Sequence, residues 1–178
     1  FQIRLDVPYQ KRKYVWLSSA KMEKGCSPGS PVSFSGVLNS PVIYVTEGVL
    51  KAEAAYQRTG HPYLGNPGVS AYKELELALN RLKAHGVKVV IEANDMDKCI
   101  RLHCDRAYSE ACADCEGSSH ECPKKREKRD HIRKGCLKLY EICEKLGLIC
   151  KRAVWDTDDE GYWEENYKGI DDWELREL

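Results

Sequence analysis

PVIYVTEG, residues 41–48, is the stretch on which the fold turns: a short β-branched run that stops on an acid and a glycine. VKVVIEANDMD, residues 87–97, is its natural partner, a second apolar run that stops on two aspartates one residue apart. In an open parallel sheet both would be buried central strands, and such sheets bind ligands just beyond the carboxyl ends of their strands. Glu47, Asp95 and Asp97 are then expected to converge on one edge.

The chain between these runs alternates helix and strand. Val49 to Arg58 reads as a helix with Val49, Ala52 and Tyr56 on one stripe and Gly60 as its stop, which implies a right-handed βαβ unit. HPYLGNPG at 61–68 supplies a short second strand and a turn, where Gly65 and Gly68 either admit a ligand close to the backbone or simply make the turn. Ser70 is the expected N-cap of a helix carrying Ala71, Leu75, Ala78, Leu79 and Leu82 and ended by Gly86. A last helix, Ile132 to Leu146, has an apolar stripe that includes Cys136 and Cys143, so both read as core thiols. LICKRAVW at 148–155 then completes a roughly four-stranded, mostly parallel sheet flanked by helices. Upstream, IRLDV, KYVWLSS and PVSFSGV are short strands of a β-rich lead-in, residues 1–39. One α/β domain is expected, with its core in 40–97 and 131–178.

Composition is that of a single globular domain: 178 residues, 42% hydrophobic and 31% charged. No apolar run approaches the roughly 20 residues needed to cross a bilayer, and FQIRLD lacks the apolar core of a signal peptide. A cytoplasmic location and no membrane partner are expected. From the start without Met, a piece cut from a longer protein is expected. Lys plus Arg and Asp plus Glu are each 28, so the net charge is zero and any phosphate binding must be local.

Residues 98–130 interrupt the alternation as a Cys-rich insertion. Cys104, Cys112, Cys115 and Cys122 supply enough soft ligands for a structural Zn²⁺, the alternative being a loop with free thiols. An odd total of nine cysteines without secretory features argues against a disulfide framework. The run KKREKRDHIRK, 124–134, which opens with Lys124, Lys125 and Arg126, is either a solvated helix entry or the strongest local positive cluster for nucleic acid. Lys13, beside Tyr14 and Trp16, belongs either to a basic, aromatic phosphate-binding strip or to a solvated edge strand.

Four stretches carry a family resemblance: KYVWLSS at 13–19, VTEGVLKAEAA at 45–55, NPGVSAY with the later DMD at 95–97, and KGIDDWEL at 168–175. Together they resemble the Toprim domain of primases, topoisomerases and some nucleases. The likeness is closer still to a Toprim-like domain carried by phage, plasmid and mobile-element primase or helicase proteins. The fold this implies is Toprim/Rossmann-like. The Cys-rich insertion departs from the family pattern, and the helix after Glu47 and Gly48 lacks the acid that many primases carry there.

Three facing carboxylates repel one another and raise at least one pKa, and a hard divalent ion relieves that repulsion while offering a template for phosphate oxygens. Mg²⁺ (or Mn²⁺) is the expected ion. The resemblance implies that Asp95 and Asp97 hold it and that Glu47 either ligates it or acts as the catalytic acid or base. Lys51, one helical turn after Glu47, and Lys98 are either phosphate-binding residues or exposed lysines that only meet solvent. Lys168 is a further phosphate-binding candidate, and Asp171 and Asp172 either extend the metal site, as the resemblance implies, or cap a short helix.

The implied function is that of a DNA-replication domain acting in nucleotidyl transfer of the primase type, on single-stranded DNA or nucleotides, beside other domains such as a helicase. Toprim-type phosphodiester hydrolysis and non-catalytic binding of nucleic acid or nucleotide are the alternatives.

Overall fold

The computed structural model describes residues 2–9, 12–16, 18–25, 31–68, 71–103 and 121–176. The chain divides into two units, Phe1–Pro31 and Val32–Leu178. In the first, strands β1 (Gln2–Tyr9) and β2 (Arg12–Trp16) pair antiparallel, Gln2 opposite Trp16 and Tyr9 opposite Arg12.

The second unit holds, in chain order, β3 (Ser33–Ser35), β4 (Val42–Glu47), α1 (Val49–Thr59), β5 (Tyr63–Asn66), α2 (Tyr72–Ala84), β6 (Val89–Glu92), a 3-10 turn (Met96–Cys99), α3 (Pro123–Leu146), β7 (Ile149–Arg152) and α4 (Ile170–Leu175). Its five strands lie in the order β3-β5-β4-β6-β7. Only β3 runs antiparallel, against β5. The architecture is therefore α/β with a mostly parallel sheet flanked by helices, one strand wider than expected. The extra strand is PVSFSGV: β3 joins the main sheet, so the lead-in ends at Pro31 rather than at residue 39.

The two central strands β4 and β6 form the middle of the sheet because their β-branched side chains can be buried on both faces. Ile43, Val45 and Val90 pack with Leu75, Leu79 and Leu139 from α2 and α3. Tyr44, from the alternate face of β4, packs in a second cluster with Ala52, Ala55, Tyr63, Met96, Trp155 and Ile170. Cys136 and Cys143 are fully buried, as their stripe predicts.

Helix ends follow local chemistry. Gly60, at φ +71°, ends α1 with its N–H donated to Tyr56. Gly147, at φ +65°, ends α3, and the N–H of Leu148 returns to the Cys143 carbonyl. Two boundaries differ from expectation. α3 begins at Pro123, not Ile132, because proline is tolerated at the first helical position and the charged run after it has good helix formers. α2 begins at Tyr72 with Ala71 at its N-cap position, and Ser70 lies outside the described residues. Among the described residues no helix is long and apolar enough to cross a membrane.

Candidate functional site

Glu47 is the last residue of β4 and pairs in the parallel ladder with Asn66, the last residue of β5. Gly48 follows at φ +94°, a conformation that favours glycine, and donates its N–H to the Asn66 carbonyl at 2.6 Å before α1 begins. Past the end of β6, Ala93 still donates to the Val45 carbonyl at 2.8 Å, so the chain stays beside β4 as it enters Asn94, Asp95 and the 3-10 turn. Asp95 and Asp97 are only 5% and 6% exposed. The Met96 N–H donates to the Lys168 carbonyl at 2.9 Å, which fixes the start of the KGIDDWEL segment against the aspartate loop.

Two lysines answer these acids. Lys51, one turn into α1, hydrogen-bonds Asp95 Oδ1. Lys168 Nζ lies 2.6 Å from Asp97 Oδ2 and 3.6 Å from Asp95 Oδ2, so one ammonium bridges both aspartates. Burial works against the charge on Lys168, but the hydrogen bond and attraction of Asp97, with Asp95 behind it, outweigh burial and hold the amine above its ordinary range. Glu47 is pushed the other way. Burial, then repulsion from Asp95, raises its carboxyl above the usual value, and Lys51, Lys168 and His131 offset only part of that.

The terminal acid pair divides. Asp172 Oδ2 accepts the Gly169 N–H at 3.2 Å and serves as a cap for α4, so the capping alternative holds for it. Asp171 is raised by burial and by Asp172, and is drawn back by Lys51; its Oδ1 is buried without a hydrogen-bond partner. The structure thus brings together Glu47, Asp95, Asp97, Asp171, Lys51 and Lys168.

Among the described residues, no three His, Cys, Asp or Glu side chains are gathered closely enough to hold a metal ion. Ammonium groups neutralise Asp95 and Asp97 instead. The donor chemistry nevertheless fits a hard ion: every candidate ligand is a carboxylate oxygen.

Other expected site residues fall elsewhere. Lys98 does not face a phosphate: it is 2% exposed, its Nζ lies 2.9 Å from Glu92 Oε1 and 5.2 Å from the centre of the Trp155 ring, and burial of so costly a charge is explained by that pairing. Lys124, Lys125 and Arg126 occupy the first turn of α3, where Lys125 pairs with Glu165 at 2.7 Å and Arg126 with Glu121. Lys13 is in β2 of the first unit. Cys104, Cys112 and Cys115 lie outside the described residues. Cys122 is buried at the foot of α3, where its N–H donates to the Leu102 carbonyl at 2.9 Å and, with the His103–Glu121 bridge, joins the two ends of the Cys-rich segment.

Two residues that sequence reasoning passed over belong to this edge. Asn66 is buried beside Glu47, and its Oδ1 has no hydrogen-bond partner. Glu92 is fully buried beneath the aspartate loop. Each closes its strand with a polar side chain after apolar residues, which is the one signal available in the sequence. No protein-family model and no curated protein matches this chain.

Proposed function

We propose that the unit Val32–Leu178 is a Mg²⁺- or Mn²⁺-dependent Toprim-like module of a primase-type DNA replication protein, carrying out or supporting nucleotidyl transfer on nucleic acid. The observation that carries this reading is the convergence of Glu47, Asp95 and Asp97, with Lys51 and Lys168, at the carboxyl edge of the adjacent parallel strands β4 and β6. Asp95 and Asp97 would hold the ion and Asp171 extend its shell. When bound, such an ion would supply positive charge to offset the negative charge of phosphate oxygens.

The remaining work falls to the chain itself. Lys51 and Lys168, which now neutralise the aspartates, suit phosphate oxygens once a cation takes over that task. Glu47 keeps its proton to higher pH than an exposed glutamate, which suits an acid or base acting at the attacking or leaving oxygen. Single-stranded DNA or nucleotides are the expected partners, with other domains of a longer replication protein such as a helicase.

The lysine pairing also favours a second reading, a module that binds nucleotide or single strands without turnover, because the acids are neutralised without any cation. Titration of Mn²⁺ into wild type, D95N, D97N and E47Q, followed by primer-synthesis and nuclease assays, separates the two. Loss of ion affinity in both aspartate variants, with E47Q binding the ion but inactive, supports the catalytic reading. Affinity unchanged in both aspartate variants would reject the ion site. Intact ion binding by a wild type that lacks both activities would favour the binding module.

A further inference from the structure

Glu92 ends β6 with its carboxylate wholly buried, and Oε1 accepts two hydrogen bonds: from the Asn94 N–H at 2.8 Å and from Lys98 Nζ at 2.9 Å. Those bonds reach both ends of the segment 94–98, and Asp95 and Asp97 lie between them on either side of the buried Met96. The Lys98 carbonyl is held in turn by Arg133 Nε of α3 at 2.9 Å. Glu92 Oε2 makes no hydrogen bond; Arg152 Nε stands 3.5 Å from it, and the buried Cys136 thiol interacts with the same carboxylate.

A buried ion pair is a poor device for stability alone, since well-packed apolar side chains of similar volume often serve as well or better. What an apolar pair cannot supply is an acceptor for the Asn94 N–H and a polar link across the loop. We infer that Glu92 and Lys98 are positioning residues, a buried clamp that sets where Asp95 and Asp97 present their carboxylates. The clamp is distinct from the acid edge itself, because Lys98 touches neither aspartate side chain among the ion pairs formed there. Its consequence for ion binding rests on the reading of Asp95 and Asp97 as the acids that hold the cation.

The test compares wild type, E92M/K98M and E92Q/K98M in the full chain. Both double variants remove the buried charges together, and the glutamine keeps an acceptor for the Asn94 N–H. Circular dichroism and thermal melting report the fold, NMR hydrogen exchange reports the amides from Asn94 to Ile100, and Mn²⁺ titration reports ion affinity. Folded E92M/K98M is expected to exchange the Asn94 amide roughly tenfold faster, the factor corresponding to one lost hydrogen bond. Its Mn²⁺ affinity is expected to fall about 10- to 100-fold, as when a partner behind a ligand is removed. E92Q/K98M should recover the Asn94 protection and part of the affinity.

Wild-type exchange and affinity in a folded E92M/K98M would overturn the clamp. If that variant does not fold, E92Q/K98M decides alone: wild-type affinity together with wild-type exchange at the Lys98 and Ile100 amides would overturn it. Absence of Mn²⁺ binding by wild type would count against the ion site only, since the exchange comparison still decides the clamp.

Discussion

At the scale of single residues, the candidate site is a problem in charge placement. Asp95 and Asp97 have ammonium groups against them, whereas Glu47 is half-buried near Asp95 with its carboxyl raised above the ordinary 4.5. A raised carboxyl means that the folded state holds its proton more tightly than the unfolded chain does. Its stabilising effect is therefore fully present below about pH 4.5 and lost as pH rises through the folded-state value. Glu47→Gln removes that pH-dependent cost. Without added metal it is expected to melt higher than wild type at pH 7, with the gap closing below about pH 4.5, as paired melts at pH 4 and pH 7 would show. An equal gap at both pH values would mean that Glu47 ionises as freely in the fold as outside it. Lys98→Met alone is the opposite case: it strands the Glu92 carboxylate in the interior and is expected to cost about 3–5 kcal/mol in chemical denaturation. The E92M/K98M pair should lose far less.

At the scale of elements, the site depends on how closely β5 approaches the turn between β4 and α1. A Cβ at Gly65 would stand 2.5 Å from Ser33 Oγ and 2.9 Å from both the Gly48 carbonyl oxygen and Val49 Cα. Two of these three neighbours are backbone and cannot swing aside. Gly65→Ala is expected to cost about 1–3 kcal/mol by denaturant unfolding. The variant should also disturb Glu47, since the displaced turn is the one that carries it. Gly68, where a Cβ would meet nothing within 4 Å among the described residues, should accept alanine with little change.

Glycine spacing alone left open whether Gly65 serves a ligand or a turn; contacts with β3 and α1 show that it serves close packing of backbone on backbone. The parallel strands and α1 were legible because β-branched runs and a Gly stop act locally. β3 was less so, since three residues acquire their place only through long-range pairing with β5. The first turns of α3 carry too few apolar residues for a periodicity, and only Pro123 marks their start. The edge acids were legible from strand ends, but Lys98 was misplaced because a lysine next to a turn normally faces water, and its partner Glu92 is six residues away on a strand.

At the scale of the whole molecule, zero net charge provides no general attraction to a polyanion, so on the proposed reading contact with nucleic acid would have to come from one region. α3 is the best placed. Arg133 of that helix bonds the Lys98 carbonyl and His131 acts electrostatically on Glu47, so this middle part of α3 lies beside the aspartate loop. The positive charge of the helix's first turn is partly spent within the protein, in Lys125 with Glu165 and Arg126 with Glu121. Binding of single strands should therefore be weak, and each phosphate contact should add about 0.7 to the slope of log affinity against log salt. If Lys125 and Arg126 leave their acids to meet phosphates, K125E/R126E should lower that slope by about 1.4 and weaken binding. E165Q should strengthen binding by releasing Lys125. Fluorescence anisotropy on oligonucleotides at several salt concentrations measures both. A slope unchanged in K125E/R126E, with E165Q indistinguishable from wild type, would mean that these two cations only anchor α3 to its neighbours, and that strands reach the acids by another path.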